Sequence, residues 1–318
     1  MKTYNNYMPA IVTITFNPCI DKSSFIDALL PDKKLRCTPF IQEAGGGGIN
    51  VARAVKKLGG NALAVFLGGG YTGIVLQNLL KTEGVDMKVI DTGIDTRENI
   101  MIVDKATNLQ YRFITPGFTV QQTHWQQLIE AVENITNVEY IVVSGSMQQG
   151  FAENIFERLA FIAAQKKAKL IIDIPAERLQ SHPVKGAYLL KPNLNELSML
   201  AGKEELHGDE ITSAARNVIS KNICEVVVVS MGAAGALLVT KDIAEQFMAP
   251  PVKRKSTVGA GDSMLAGIVM YLSANKNIKE AVRFGVACGT AATLNEGTQL
   301  CSRADAENLY KVMQQYER

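Results

Sequence analysis

Ser256-Thr257-Val258-Gly259-Ala260-Gly261-Asp262-Ser263 is a glycine-rich turn that opens onto a helix, because an apolar helical pattern follows at once from Met264. Gly259, Ala260 and Gly261 carry little or no side chain, so a ligand can approach the backbone closely. The first N–H groups of a helix have no intrahelical partner and point outward with the positive end of the helix dipole. The turn is therefore an anion cradle, suited to a phosphate or to charge developing on one. A carboxylate beside a phosphate is repelled by it, so Asp262 is best explained as a general base taking a proton from an attacking hydroxyl. The bland alternative is a helix start with Asp262 or Ser263 as its cap.

A second glycine cluster shifts the balance toward chemistry. Gly45-Gly46-Gly47-Gly48-Ile49-Asn50-Val51-Ala52-Arg53-Ala54-Val55 again feeds a helix, with Val51, Val55 and Leu58 at helical spacing and Gly59-Gly60 as the stop. Four glycines cost conformational entropy on ordering, which a purely structural loop seldom needs. Asn50 offers both donors and acceptors, as a sugar hydroxyl requires.

Together the two segments resemble the signature regions of the ribokinase-like sugar kinases, in the phosphofructokinase-B branch. Lys33-Lys34-Leu35-Arg36-Cys37-Thr38, Lys191-Pro192-Asn193-Leu194-Asn195-Glu196, Val229-Ser230-Met231-Gly232 and Ala291-Ala292-Thr293-Leu294-Asn295 fall in family order. Only about the first eight residues lie outside the resemblance. Within the branch the chain is most similar to the minor bacterial 6-phosphofructokinases, the type without a P-loop. Its glycine cluster lacks the lysine usual in 1-phosphofructokinases and tagatose-6-phosphate kinases. Pro250-Pro251-Val252 and Thr298-Gln299-Leu300-Cys301-Ser302 strengthen that likeness.

Bulk properties agree. The chain has 318 residues, 47% of them hydrophobic and 20% charged, enough to bury a large core. A net charge of +2 excludes an obvious electrostatic footprint for nucleic acid or an acidic membrane. Cys19, Cys37, Cys224, Cys288 and Cys301 are odd in number and without metal-ligand spacing, which fits reduced thiols and a cytoplasmic location. The stretch from Met1 to Tyr7 is too polar for a signal peptide, and no apolar run approaches a membrane span.

Strands and helices alternate along the chain, the pattern of a mainly parallel sheet covered on both faces. Residues 11–16, 62–66, 140–143, 170–173, 187–190 and 226–230 read as strands, and 73–81, 121–134, 154–167 and 209–220 as helices. Helices over 260–273, 278–294 and 304–315 close the chain. The resemblance implies a three-layer α/β/α sandwich over residues 9–316, with a small β-sheet lid from segments at about 19–41 and 97–115. The second of these reads as a β-pair turning at Lys105-Ala106-Thr107-Asn108. In the family the lids of two subunits often pair, which implies a homodimer.

The resemblance also implies roles. Asp262 is the base and the amides of Gly259, Ala260 and Gly261 the anion hole; Asp21 and Asn50, with Gly46 and Gly47, hold sugar hydroxyls. Lys34, Arg97 and Ser146 surround an existing phosphate of the acceptor, with Arg36 and Arg112 as further basic candidates. Lys191, Asn193, Ser230, Gly232, Thr257 and Asn295 belong to the nucleotide side. Glu196 stands on the metal side, holding Mg²⁺ through water with ATP; a monovalent cation such as K⁺ is compatible with the family.

Two departures stand out. Ser144-Gly145-Ser146-Met147-Gln148-Gln149-Gly150 lacks the two prolines usual in this loop, and Ile174-Pro175-Ala176 follows Asp173 where relatives place Ser or Thr and Gly. The reading is an ATP-dependent kinase of a ketohexose phosphate, fructose 6-phosphate first. Tagatose 6-phosphate or fructose 1-phosphate is the alternative acceptor, and a catalytically silent sugar-phosphate sensor is the non-enzyme alternative. Lys34 and Arg97 disfavour free ribose or a nucleoside.

Overall fold

Residues 11–15 read IVTIT and are wholly buried as strand β1 (Ile11–Thr15). Successive side chains of a strand point to opposite faces. Val12 and Ile14 accordingly pack into one apolar core and Ile11 into the other. A strand buried on both faces needs helices on both sides, and the chain supplies them.

In the computed structural model, which describes residues 10–316, β1 is followed by β2 (Cys19–Ile26), β3 (Ile41–Gly45), α1 (Gly47–Lys57), β4 (Leu63–Gly68), α2 (Gly70–Thr82) and β5 (Asp86–Asp91). Next come β6 (Arg97–Asp104), β7 (Leu109–Phe113), α3 (Gln122–Asn134), β8 (Tyr140–Ser144), α4 (Ile155–Lys166) and β9 (Lys169–Asp173). The chain then forms α5 (Ala176–Ser181), β10 (Ala187–Leu190), α6 (Leu194–Leu200), α7 (Asp209–Ser220) and β11 (Cys224–Ser230). It ends in β12 (Ala236–Val239), β13 (Ala244–Phe247), α8 (Ala260–Ser273), α9 (Ile278–Ala292) and α10 (Arg303–Tyr316). The stretch from Met1 to Tyr7 and the expected domain start at residue 9 lie outside the described residues.

Nine strands form the main sheet in the order β13-β12-β11-β10-β9-β8-β1-β4-β5. All neighbours from β11 to β5 are parallel, and β12 and β13 add an antiparallel end. One core lies under α1, α2, α8, α9 and α10, the other under α3, α4, α6 and α7. The fold is thus a three-layer α/β/α sandwich around a mainly parallel sheet, as the resemblance implied. β5 and β13 are absent from the expected strands because β5 (DMKVID) and β13 (AEQF) are charged or polar outer strands with partly exposed residues, and β12 is a four-residue apolar run, ALLV, too short to read alone.

The lid is a separate four-stranded sheet, β3-β2-β6-β7. β6 and β7 form the expected hairpin, with Asn108 left-handed (φ 57°) in its turn. The first segment differs from expectation. β2 pairs antiparallel with β3, from Cys19↔Gly45 to Ser23↔Ile41, so the returning strand begins at Ile41 rather than ending there. Residues 27–40 stay outside regular strands, as Pro31 and Pro39 lack an N–H and Asp32 takes a φ of 53°. The two halves of the lid join through parallel pairing of β2 with β6, from Cys19↔Arg97 to Ile26↔Asp104.

β1 lies between β8 and β4, so the chain reverses direction across the sheet there. Ligands of open α/β sheets bind outside the carboxyl ends of strands at such a point. Both glycine clusters lie at that edge. A Cβ on Gly47 would lie 2.4 Å from Gly145 N, and one on Gly48 2.4 Å from Ile14 O, so α1 begins tight against the ends of β8 and β1.

Candidate active site

The turn at residues 256–263 separates two cavities. Val258 and Asp262 line one of about 300 Å³, and Thr257, Ala260 and Gly261 line the other, of about 520 Å³. Gly259 caps α8 with a φ of 74°, a conformation in which its lack of Cβ matters; a side chain there would also meet Leu300 at 2.7 Å.

The smaller cavity lies between the lid and the main sheet. Asp21, Gly46, Gly47, Arg97 and Ser146 line it together with Asp262, as does Arg112. The guanidinium of Arg97 is anchored on main-chain oxygens, Nη1 donating to Thr115 O (3.1 Å) and Nη2 to Asn17 O (3.2 Å). Ser146 Oγ accepts from Asn17 Nδ2 at 3.1 Å. Asp21 Oδ1 accepts from Asn99 Nδ2 (2.9 Å) and from the Cys19 thiol (3.3 Å). Burial and the Asp21 carboxylate push the Cys19 thiol up, so it stays a neutral donor.

Three expected members are absent from this wall. Lys34 and Arg36 are exposed on the irregular segment between β2 and β3, outside the cavity. Asn50 lies behind Asp262, donating from Nδ2 to Asp262 Oδ2 at 2.9 Å. The sequence pattern that put Asn50 in a helix's first turn could not reveal that its neighbour is the carboxylate 212 residues away.

The larger cavity is lined by Asn193, Ser230, Gly232 and Thr257, with Pro250, Pro251 and Arg254. Asn193 and Ser230 are bridged in parallel, which brings the loops after β10 and β11 together at the carboxyl edge. Lys191 lies beneath the turn, its Nζ 3.5 Å from where a Cβ on Gly261 would sit. Asn295 is not in the cavity wall; its Nδ2 donates to Leu300 O at 3.0 Å and holds the returning loop.

Glu196 forms a capping box with Asn193. Asn193 Oδ1 accepts from Glu196 N (2.9 Å) and Glu196 Oε2 accepts from Asn193 N (2.8 Å). Burial pushes its carboxyl above the ordinary range; the Asn193 N–H works against this and the Asp173 carboxylate with it. Such a carboxylate is short of positive charge, which fits a hard cation carried by nucleotide phosphates.

Asp173, at the end of β9, was not among the expected site residues, although a carboxylate at the carboxyl end of a parallel strand is the available signal. It pairs with Lys191 at 3.0 Å and accepts from Ser144 Oγ at 3.4 Å. Both Asp173 and Lys191 act on Asp262. Burial and then Asp173 raise the Asp262 carboxyl to about 6, with Asp21 adding to the rise, while the Asn50 hydrogen bond and Lys191 oppose it. A carboxylate so tuned is largely ionised at neutral pH yet holds a proton more firmly than an ordinary aspartate.

A glycine-rich helix start lining one cavity and a carboxylate raised to about 6 lining the other fit a kinase acting on small alcohols. The chain belongs to the pfkB family of carbohydrate kinases, whose profile matches residues 12–305. It is 40% identical over 307 residues to ATP-dependent 6-phosphofructokinase isozyme 2 of Escherichia coli strain K12, covering 96% of this chain and 99% of that protein. Identity to the isozyme 2 of Mycobacterium tuberculosis strain H37Rv is 38% over 305 residues, or 96% and 90% of the two chains. The crystal structure of E. coli phosphofructokinase-2 in complex with potassium superposes with a TM-score of 0.91 at 39% identity, covering 96% of this chain and 99% of the other. Among the described residues no helix is long and apolar enough to cross a membrane.

Proposed function

We propose that this chain transfers the γ-phosphate of ATP to fructose 6-phosphate, giving fructose 1,6-bisphosphate, with residues 9–316 as the kinase domain. The observation that carries the reading is the position of Gly261 and Asp262. Consecutive residues of one helix turn face the two cavities, so the hydroxyl to be phosphorylated and the phosphate to be moved meet at their boundary. In-line transfer requires this arrangement of nucleophile, base and phosphoryl group. The 40% identity to an ATP-dependent 6-phosphofructokinase supports the choice of acceptor.

In this reading Asp21 orients the sugar, with Asn99 and Cys19 holding its Oδ1. Arg97 and Ser146 face the acceptor's phosphate, to which the guanidinium brings its fixed charge and the remaining Nη2 donor. Asp262 removes the proton of the attacking 1-hydroxyl, and the first amides of α8 receive the charge of the moving phosphoryl group. Lys191, neutralised by Asp173, stands beneath that group. Mg²⁺ brought by ATP would be held through water on the Glu196 side and neutralise the nucleotide phosphates. A monovalent cation such as K⁺ belongs to the same reading, on the strength of the potassium complex of the E. coli relative.

The subunits pair through the lid as a homodimer. Ile41, Leu109, Phe113 and Ile114 are more than half exposed on its strands and their edges, an apolar surface that a partner lid would cover. Sedimentation velocity reads the assembly directly; a monomer at micromolar concentration contradicts this part.

The test of function is ADP release with MgATP and fructose 6-phosphate, tagatose 6-phosphate, fructose 1-phosphate or ribose, with Asp262→Asn in parallel. Highest kcat/KM on fructose 6-phosphate, lost in the variant, is expected. Preference for another ketose phosphate changes the substrate. Binding of sugar phosphate without turnover on any acceptor supports the sensor instead.

A further inference from the structure

Arg53 is buried to 2% exposure on α1, one turn beyond Asn50, and lines neither cavity. A guanidinium has five N–H donors in a fixed plane. Here each donor position has an acceptor. Nε donates to Glu83 (3.0 and 2.8 Å to its two oxygens), and Nη1 to Ala44 O (2.5 Å) and Asn50 Oδ1 (3.3 Å). Nη2 donates to Glu83 Oε1 (2.7 Å) and Glu43 Oε1 (3.5 Å). Glu83 closes α2, and Glu43 and Ala44 belong to lid strand β3. Glu43 Oε2 also accepts from Thr298 Oγ1, in the wall of the smaller cavity.

A carboxamide has an acceptor end and a donor end, and nothing in its shape decides which way it faces. The donor on Arg53 decides it for Asn50: the oxygen is drawn to the guanidinium, so the NH₂ end meets Asp262 Oδ2 at 2.9 Å. The reverse orientation would set an amide oxygen against a carboxylate oxygen, two acceptors with no proton between them. We propose that Arg53 is a positioning residue for phosphoryl transfer, fixing the Asn50 amide so that Asp262 is held by one oxygen and offers the other to the acceptor hydroxyl. This rests on Asp262 being the general base. Around that carboxylate the other charged groups are Asp173 at the end of β9, Lys191 after β10 and Asp21 on β2. Arg53 adds control through a hydrogen bond, which a remote charge could not supply.

Arg53→Lys separates positioning from charge, since an ammonium keeps the charge but has three donors at one point and cannot serve Glu83, Ala44 and Asn50 together. The expected result is a fall in kcat of about tenfold or more, KM for ATP and for fructose 6-phosphate within about twofold, and the acid limb of the kcat/KM profile moved to higher pH by about one unit. Glu83→Gln, which loosens the guanidinium at constant side-chain volume, should move the limb the same way by less and stands in where Arg53→Lys does not fold. A folded variant with a lower melting temperature but an unmoved pH profile and parental kcat would make Arg53 a clamp of α1, α2 and β3 only, and overturn the proposal. Asp262→Asn, measured alongside, distinguishes the two failures. Near-parental turnover in that variant removes the base, and this inference with it. An inactive Asp262→Asn with an unmoved Arg53→Lys profile removes this inference alone.

Discussion

Asn50 donates a hydrogen bond to Asp262 across 212 residues of chain, tying the first glycine cluster to the last. The bond works against burial and the Asp173 carboxylate, which together push the Asp262 carboxyl up to about 6. The two glycine-rich turns are therefore parts of one device, in which the second supplies a carboxylate and the first restrains it.

Activity should fall in acid. A general base works when deprotonated, so kcat/KM should decline as pH drops through about 6. Asn50→Ala removes the opposing hydrogen bond, and a bond to a charged group is worth about 1.5–3 kcal/mol, or roughly one to two pK units. The acid limb should rise by about one unit, as measured in a pH series with saturating ATP.

Asp262→Asn should lower kcat by about 10²–10⁴ while making the protein more stable at neutral pH. The sign follows from linkage. A carboxyl whose folded pKa is raised from 3.8 to about 6 favours its proton in the folded state, so the folded state loses stability as pH rises between those values. The amide has no charge to bury. With the carboxylate partly open to the cavity, the gain at pH 7 is on the order of 1–2 kcal/mol, a few degrees in Tm that should shrink as the pH approaches 4. A lower Tm for this variant at pH 7 would contradict the burial cost that raises the Asp262 carboxyl.

Lys191→Met should leave Asp173 as a buried, unpaired carboxylate. Breaking a buried pair from one side costs about 3–5 kcal/mol, and the 16% exposure of the Asp173 side chain puts the expected loss at the low end. The double variant Lys191→Met/Asp173→Asn should recover most of that stability without recovering activity. Denaturant unfolding of Lys191→Met, Asp173→Asn and the double variant reads the coupling; additive losses would show that the pair is not one unit.

Gly47→Ala should damage the acceptor side alone. The added Cβ would lie 2.4 Å from Gly145 N and 2.6 Å from Gly145 Cα, both backbone atoms that cannot turn aside. Forcing them apart should cost about 1–3 kcal/mol and raise KM for the sugar phosphate severalfold with little change for ATP. Equal effects on both KM values would show that the two cavities are not separable at this turn.

Much of this was readable along the chain. The turn at Gly259–Gly261 opening onto a helix, the helix at Asp209–Ser220, and the apolar runs of β1, β8, β9, β10 and β11 follow from local chemistry. Asp21, Arg97, Ser146 and Asp262 meet in one cavity, and Asn193, Ser230, Gly232 and Thr257 in the other. Less was readable where the decisive neighbour is distant. β5 is half polar and becomes a strand because β4 is there to pair with it. Lys34 resembles a phosphate ligand by its place in the chain, but the Pro31–Pro39 segment carries it outside the cavity.

Spacing, turn chemistry and periodicity by themselves determined the alternating α/β order, the two glycine turns and the carboxylate in one of them, because each depends on residues within about one turn of one another. Only the tertiary structure decided that Asn50 restrains Asp262, that Asp173 pairs with Lys191 beneath it, and that buried Arg53 orients Asn50. Those relations depend on distance and burial between segments far apart in sequence. Hydrogen bonding and desolvation act through space, so the order of residues along the chain does not contain them.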